Sequence, residues 1–167
     1  MIGKAQMMET LLEVCASFRS EWEAFLAYWK NEPVDPPLYI ALSDFARHLI
    51  GMLARGETQE FAIIFAAVER LQIEGEDYVR EAAVVGLLED LQNLNLHSTT
   101  EPEQFRPFLG VESASAWDEL YVLWNKVGVL KAAGLLEPET GSVPRIDFDS
   151  IQDPELRRIV ERLYPMR

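Results

Sequence analysis

Apolar side chains recur at steps of three and four residues along the N-terminal part of the chain. This spacing is the period of an α-helix with one buried face, and it predicts a helix over residues 6–30. Ser17 and Ser20 are the positions where we expect this helix to break or bend. The prolines of the segment NEPVDPP end it, since proline cannot continue a helix. The apolar positions are Leu11, Leu12, Cys15, Phe18, Trp22, Phe25, Leu26 and Trp29.

Three more helical patterns follow, separated by short polar breaks. We expect helices over residues 38–54, 59–73 and 76–94. The breaks RGET and EGED are short, and short connections favour antiparallel neighbours. The spacing resembles stacked helical hairpins, although no residue pattern repeats. The pattern therefore predicts either an antiparallel helical bundle or a short α-solenoid-like stack.

The next segment, HSTTEPEQFRPFLG, is polar and interrupted by proline. It predicts no more than one helical turn, over residues 103–109. A fifth long helix is expected over residues 113–133, with an apolar stripe at helical spacing. Serine is a favoured N-cap residue, so Ser113 or Ser115 is the expected cap of this helix.

The helical period is lost near the C-terminus. Residues 136–152 are predicted to form an extended arm, with a short strand over residues 145–148. Residues 153–167 are expected to form a short basic helix that opens at Pro154. The whole pattern predicts one all-α domain of about six helices, with its helical core in residues 1–135.

Acidic residues outnumber basic residues by 28 to 15, which gives a formal net charge of -13. Nucleic-acid binding needs a basic surface, so this charge opposes direct binding to DNA or RNA. It equally opposes docking on anionic lipid. The charge favours a basic protein as partner, because it would attract one by long-range electrostatics.

We expect neither a membrane-spanning segment nor a signal peptide in this sequence. No apolar run is long enough to span one, and the N-terminal segment lacks the apolar core of a signal peptide. A single cysteine, Cys15, excludes an intramolecular disulfide. We therefore expect a soluble cytoplasmic protein with no membrane partner.

No catalytic motif of defined spacing is present. The G-x-S-x-G, P-loop, G-x-G-x-x-G and H-E-x-x-H patterns are all missing, and the serines have no histidine close by in the sequence. His97 is expected to hydrogen-bond the last carbonyls of the preceding helix. His48 shares a helix face with Asp44. We predict no metal site, no cofactor and no catalytic residue, and paired carboxylates remain the one chemistry open to an enzyme.

The fourth predicted helix contains polar residues close to its apolar side. On a helical wheel Asp90 falls inside the apolar cluster and Asn93 lies at its margin. A bare carboxylate in a dry core is costly, so Asp90 must be paired, hydrogen-bonded or open to water. Either Asp90 caps a neighbouring helix or pairs with an arginine such as Arg47 or Arg106, or Asp90 and Asn93 line a groove as polar recognition groups. Gly86 fits both interpretations, since it lets another backbone come close.

Two blocks of sequence resemble a family of small bacterial proteins of unknown function. The blocks are GLLEDLQN and LG-x-E-S-x-x-x-W-D-E-L, and the resemblance covers about residues 77–124. In style the chain is similar to the immunity proteins encoded beside bacterial toxins, which are often small, acidic and helical. The resemblance implies no catalytic residue.

The leading interpretation is a non-enzymatic acidic binding protein. Its specific form is an immunity protein that neutralises a cognate basic toxin by covering the cationic active surface. For each residue taken singly, a solvated helix face remains the commoner role for such charges. The candidate contact residues are Glu74, Glu76, Asp77, Glu81, Glu89, Asp90 and Asn93.

Two other interpretations stay open. Trp22 and Trp29 fall on one face of their helix, as do Trp117 and Trp124, so an adaptor could use an apolar groove near them. Core packing is the commoner explanation of such spacing. The other interpretation is an enzyme with carboxylate acid–base chemistry. The apolar content also leaves room for a homodimer.

Overall fold

The computed structural model describes residues 1–132, together with Asp153, Pro154, Arg157 and Arg158, and side chains as far as Asn125 in the first range. The predicted arm over residues 136–152, its strand over residues 145–148 and most of the segment 153–167 lie outside the described residues. Where the last segment is described, the Arg157 N–H donates to the Asp153 carbonyl at 2.9 Å. This bond fits a helical turn that opens at Pro154.

The described part of the chain is an all-α single domain, as predicted. Three short 3₁₀ segments, Ala16–Phe18, Leu94–Leu96 and Pro102–Phe108, connect its helices, and a π-helical segment, Ala82–Leu88, joins α5 to α6. Ile2 and Gly75 form an isolated parallel β-bridge. The helices are α1 Lys4–Leu12, α2 Arg19–Trp29, α3 Leu38–Ala54, α4 Phe61–Glu74, α5 Asp77–Glu81, α6 Glu89–Gln92 and α7 Val111–Ala132.

The single helix predicted over residues 6–30 is wrong, because the chain breaks between α1 and α2. The N–H groups of Val14 and Cys15 both donate to the Leu11 carbonyl, and the backbone of Cys15 leaves the helical region at φ -136° and ψ 70°. Ser17 lies in this break, at one of the two predicted positions. The break buries Phe18, and beyond it α2 contacts the core through partly buried side chains such as Trp22 and Phe25.

The core forms where α3, α4 and α7 enclose the π-helical segment. Gly86 lies at the closest approach, where a Cβ atom would come 3.0 Å from Leu42 Cδ1 and 3.2 Å from Tyr39 Cδ1. The absent side chain thus lets side chains of α3 pack against this helix, in place of the second backbone that we expected. Larger buried side chains fill the remaining space, among them Phe45, Phe61, Phe65, Phe105 and Trp117.

The N-terminus of α7 is capped from another helix. Glu69 of α4 accepts hydrogen bonds from the N–H groups of Glu112 and Ser113, at 2.8 and 2.9 Å, and from the Ser113 hydroxyl at 2.6 Å. Burial raises the pKa of Glu69, but these hydrogen bonds more than offset it and leave the pKa below its usual value. The prediction that Ser113 or Ser115 caps the helix is therefore wrong, since a carboxylate far away in sequence satisfies the free N–H groups.

Candidate functional site

A groove lies between α2 and α3, with a volume of about 610 Å³. We call it the α2–α3 groove. Every side chain of α2 is described and none of them is buried, so this amphipathic helix keeps much of its apolar surface in contact with solvent. The groove is lined by Glu21, Ala24, Phe25, Tyr28, Trp29, Ile40, Asp44 and Arg47.

Aromatic rings form a continuous row along α2. The rings of Trp22 and Phe25 stack with centroids 5.5 Å apart, and Phe25 continues to Trp29 at 6.2 Å. Tyr28 meets Trp29 edge to face at 5.6 Å and is 73% exposed. Across the groove, Ile40 is 50% exposed. Tyr28 and Ile40 therefore leave apolar surface in contact with solvent on both walls of the groove.

The two predicted tryptophan pairs have different roles. Trp22 and Trp29 are both half-buried, and Trp29 lines the groove whereas Trp22 packs against the core. Trp117 is fully buried in the core, whereas Trp124 is 43% exposed. The pair on α7 therefore does not form an exposed apolar surface together.

A serine, a histidine and a glutamate form a hydrogen-bonded chain at the end of the groove. The hydroxyl of Ser17 lies 2.9 Å from His48 Nε2, and His48 Nδ1 lies 3.0 Å from Glu21 Oε1. Glu21 also lines the groove, so the chain and the groove share a side chain. The Cys15 sulfur lies 3.4 Å from the Ser17 hydroxyl, and burial raises the pKa of this thiol.

Sequence reasoning missed this cluster, because it looked for a histidine near each serine along the chain. Ser17 and His48 are 31 positions apart and meet only because α3 packs beside the break between α1 and α2. The one local signal is the spacing of Ser17 and Glu21, which is four residues and brings both to one side of the helix start. Within the described residues, no group of three or more histidine, cysteine or acidic side chains could hold a metal ion.

The predicted recognition residues lie elsewhere, along α4 and α5. Glu74 forms an exposed ion pair with Arg70 at 3.2 Å, and Asp77 pairs with Arg80 on the same helix face. Exposed pairs of this kind contribute little to stability. Both carboxylates are accessible to a partner, but each is already paired within its own helix.

Glu76 and Glu81 hold parts of the fold together. Glu76 Oε1 accepts a hydrogen bond from the Lys4 N–H at 2.8 Å, and its own N–H donates to the Ile2 carbonyl at 3.0 Å. Glu81 accepts from the Tyr39 hydroxyl at 2.8 Å, which joins α5 to α3. These two carboxylates therefore have structural partners far away in the sequence.

The π-helical segment changes which polar residues face the core. One extra residue in a turn rotates the positions that follow by roughly 100° relative to an α-helix. The buried positions consequently continue at Leu91 and Gln92 rather than at Asp90. The placement of Asp90 inside the apolar cluster was wrong for this reason. Asn93 is exposed and caps the next 3₁₀ turn through a hydrogen bond from the Asn95 N–H.

Neither predicted arginine pairs with Asp90. Arg47 donates to Asp44 at 3.1 Å within α3. Arg106 donates to Glu103 at 2.6 Å and to Asp118 at 2.7 Å. Asp90 itself is partly exposed, so water can solvate its charge. Exposure to water was one of the three arrangements that we expected for this carboxylate.

The buried carboxyl group in this helix belongs to Glu89. Its Oε2 is buried and has no hydrogen-bond partner within the described residues. Burial, with a smaller contribution from the charge of Asp90, raises the pKa of Glu89 to about 7. A carboxyl group with this pKa takes up a proton near neutral pH, which makes it the most strongly perturbed acid among the predicted residues.

The second histidine has the role that its position suggested. His97 Nε2 lies 2.9 Å from the Leu91 carbonyl near the end of α6, and Nδ1 lies 2.7 Å from the Thr100 hydroxyl. The expected hydrogen bond from His97 to a terminal carbonyl of the preceding helix is confirmed.

The two sequence blocks that suggested a family pack against each other. Gln92 of the first block donates from Nε2 to the carbonyl of Trp117 in the second, at 2.7 Å. Trp117 in turn donates from its indole nitrogen to Glu103 at 3.1 Å. The blocks thus contact each other, and neither contributes a side chain to the lining of the α2–α3 groove.

Most of the described part of the chain matches a known protein family. The model of a family described as a domain of unknown function (DUF7674) matches residues 8–125. The match extends further toward the N-terminus than the predicted resemblance over residues 77–124, and it includes α2 and α3. No curated protein and no solved structure matches the chain. In the part of the chain that the structure describes, we find no helix with the length and apolarity needed to cross a membrane.

Proposed function

The chain belongs to the family described as a domain of unknown function (DUF7674), and from the geometry of its own residues we propose that it is a protein-binding module. Its α2–α3 groove would receive apolar side chains of a basic protein partner. The observation that carries this proposal is the partly exposed aromatic row of α2 beside a groove of about 610 Å³. Binding at this groove requires no catalytic step.

The apolar surface supports the groove as the centre of the contact. Aromatic side chains bury large areas with little loss of conformational freedom, and they are the residues that most often dominate an interface. Tyr28 and Trp29 are positioned for this, because the rings beside them hold them in place while Tyr28 stays exposed. Ile40 adds an apolar contact on the opposite wall.

The charge of the protein supports a basic partner. The net charge is -13, and Glu21 and Asp44 bring carboxylates to the lining of the groove itself. Arg47 also lines the groove, but its guanidinium is hydrogen-bonded to Asp44. A partner that carries lysine or arginine beside its apolar side chains would complement both features.

The specific form that we propose is an immunity protein that neutralises a cognate bacterial toxin by covering the basic active surface of the toxin. The large negative charge supports it, since an acidic protein competes with a phosphate-bearing substrate for a cationic site. The acidic residues predicted for this contact mostly have partners within the fold, so the groove would supply the close contacts. Glu74 and Asp77 could still add long-range attraction.

A designed peptide tests the groove directly. The probe is a synthetic amphipathic helix of leucine and lysine, compared with its leucine–glutamate counterpart by tryptophan fluorescence and calorimetry. We expect only the basic peptide to bind. Loss of one buried aliphatic contact corresponds to roughly tenfold in Kd or more, so Ile40→Ser should weaken binding to that extent.

The matched control is Ile63→Ser. Ile63 is 56% exposed on α4, close to the 50% of Ile40, and it does not line the groove. Binding should be unchanged in this variant. Equal binding of both peptides, or equal losses in both isoleucine variants, would contradict the proposal.

The immunity form is tested by the neighbouring gene. If it encodes a toxin, the purified protein should inhibit that toxin, and Ile40→Ser should inhibit it less well than Ile63→Ser. An adjacent toxin that retains full activity in the presence of excess protein would contradict the immunity form while leaving the groove proposal to the peptide test.

A further inference from the structure

The hydrogen-bonded chain of Ser17, His48 and Glu21 has the connectivity of a catalytic triad. The serine hydroxyl contacts Nε2 of the imidazole at 2.9 Å, and the carboxylate contacts Nδ1 at 3.0 Å. In serine hydrolases this order of atoms lets the histidine remove the hydroxyl proton while the carboxylate fixes its tautomer and orientation. Such a site is recognised by geometry, and it occurs on unrelated folds.

The surroundings fix the imidazole and leave the serine accessible. His48 is only 10% exposed and packs edge to face on the ring of buried Phe18, at 5.4 Å between centroids. Ser17 is exposed to solvent. A held base beside a reachable hydroxyl is the arrangement that nucleophilic catalysis requires.

The backbone around Ser17 offers stabilisation for a developing negative charge. Ser17 lies in the 3₁₀ turn Ala16–Phe18, which runs directly into α2, a helix of 11 residues. The N–H groups of Phe18 and Arg19 already donate to the carbonyls of Cys15 and Ala16, so the contribution of this backbone is the positive end of the α2 dipole. A helix N-terminus directed at a developing negative charge stabilises it during acyl transfer.

The geometry points to a hydrolytic site in which Ser17 attacks the carbonyl carbon of a small carboxylic ester with an apolar group. His48 takes the hydroxyl proton at Nε2 and passes it to the departing alcohol, which leaves an acyl group on Ser17. Water then attacks this acyl–serine and gives a proton to His48. His48 passes this proton to the Ser17 oxygen as the carboxylic acid leaves, which restores the serine hydroxyl and the neutral imidazole. Glu21 is a positioning residue that orients His48, and the adjacent aromatic row would hold the apolar group of the ester.

This site goes beyond the proposed binding function and does not depend on it. The competing explanation is that the same hydrogen bonds only fasten the break between α1 and α2 to α3. A structural role predicts changes in stability when these residues are replaced, but it predicts no chemical reactivity at Ser17. Reactivity therefore separates the two explanations.

The test is labelling of the full chain with a fluorophosphonate probe, followed by mass spectrometry of the modified peptide. We expect an adduct on Ser17, none in Ser17→Ala, and labelling slowed by about 100-fold or more in His48→Gln, since a general base contributes roughly 10² to 10⁴ in rate. Ser20→Ala is the matched control, because Ser20 is exposed in the first turn of α2 and has no part in the chain. It should be labelled at the unaltered rate.

The positioning role of Glu21 requires a readout that a structural role would not change. Glu21→Gln removes the charge beside His48 and should slow hydrolysis of p-nitrophenyl butyrate while moving the acid limb of the pH–rate profile. Glu57→Gln is the control. Glu57 interacts electrostatically with His48, but its hydrogen bond goes to Arg55 and not to the imidazole. Its effect on the rate should be the smaller one.

The result that overturns the proposal is a folded protein without a Ser17 adduct, with circular dichroism used to establish folding. Labelling at the same rate in His48→Gln would overturn it equally, since the imidazole would then play no part in activating the serine.

Discussion

Replacement of Glu89 by glutamine should stabilise the protein at alkaline pH. Burial raises the pKa of this carboxyl group from its ordinary value of 4.5 to about 7, with a smaller contribution from Asp90. Each pH unit of difference corresponds to about 1.4 kcal/mol, so the charged form of Glu89 costs about 3 kcal/mol in the folded state. Glutamine keeps the shape of the side chain without the charge.

The direction of the pH dependence follows from which state binds the proton. Between about pH 4.5 and pH 7 the folded protein holds a proton on Glu89 that the unfolded chain has released. The free energy of unfolding therefore falls as the pH rises through this range. Above about pH 7 both states are ionised and the full cost is present. Below pH 4.5 both are protonated and Glu89 contributes no pH dependence.

Other carboxyl groups act in the opposite direction, so only a comparison of variants isolates Glu89. Hydrogen bonds from arginine are the largest cause of a lowered pKa in several glutamates. The stabilising effect of these glutamates is lost as the solution is acidified. They are Glu57, Glu74 and Glu103. The difference in the free energy of unfolding between the wild type and Glu89→Gln cancels these contributions, because both proteins contain them.

The assay is urea unfolding of both proteins between pH 5 and pH 8. We expect Glu89→Gln to be more stable by about 3 kcal/mol at pH 8 and by less than about 1 kcal/mol at pH 5. Packing of the amide can add a constant offset, which leaves the change with pH intact. Glu23→Gln is the control, since Glu23 is exposed on α2 and its replacement should give no such change. A stability difference that stays the same from pH 5 to pH 8 would refute the reasoning.

Three further substitutions separate strong contacts from weak ones by their effect on urea unfolding. Glu69→Ala should lower the free energy of unfolding by about 1–3 kcal/mol, because it leaves the first turn of α7, including buried Ser113, without its hydrogen-bond acceptor; a loss no larger than that of Glu23→Ala would contradict this. Gly86→Val should cost about 1–3 kcal/mol, since a Cβ atom there already comes 3.0 Å from a side chain of α3, and an unchanged midpoint would show that the helices can separate freely. Arg106→Met should cost less than about 1 kcal/mol although its distances are short, because both ion pairs are exposed; a loss above 2 kcal/mol would reverse that assessment.

The sequence predicts a helix well where its period and its breakers agree. The helix predicted over residues 38–54 has the same bounds in the structure, Leu38–Ala54, since proline precedes it and a glycine follows soon after it. The helix start near Asp77 and the helical turn that became Pro102–Phe108 were also close. In each case the signals that begin or end the element are local.

The predictions were wrong where the backbone departs from a regular α-helix while the apolar residues keep a helical spacing in the sequence. The break between α1 and α2 keeps Leu11, Cys15 and Phe18 buried, so the spacing still reads as one helix. The π-helical segment Ala82–Leu88 has the same effect, since a helical wheel assumes a constant rotation for each residue. That assumption placed Asp90 in the core, where the structure has Leu91 and Gln92.

The candidate site could be predicted in part, because only some of its geometry is local. The aromatic face of α2 follows from spacing within one helix, and the sequence did single out Trp22 and Trp29. Whether that face is buried depends on where the chain turns, and the break at Ser17 decides this. The contact of Ser17 with His48 depends on the same turn, so neither the exposure of the groove nor the hydrogen-bonded chain could be inferred before the fold.

Charge and groove would then make different contributions to binding. Among the acids predicted as contacts, Glu76 and Glu81 are hydrogen-bonded within the fold, and Glu89 is buried with a pKa near neutrality. A partner could bind Glu76 or Glu81 only by breaking these hydrogen bonds. It could bind the charged form of Glu89 only at the free-energy cost of ionising that side chain. Their charge, where present, still adds to the field of a protein with net charge -13, which raises association rates over distance. In the proposed complex, close contact and residence time would come from exposed apolar side chains beside the groove, such as Tyr28 of α2 and Ile40 on the opposite wall.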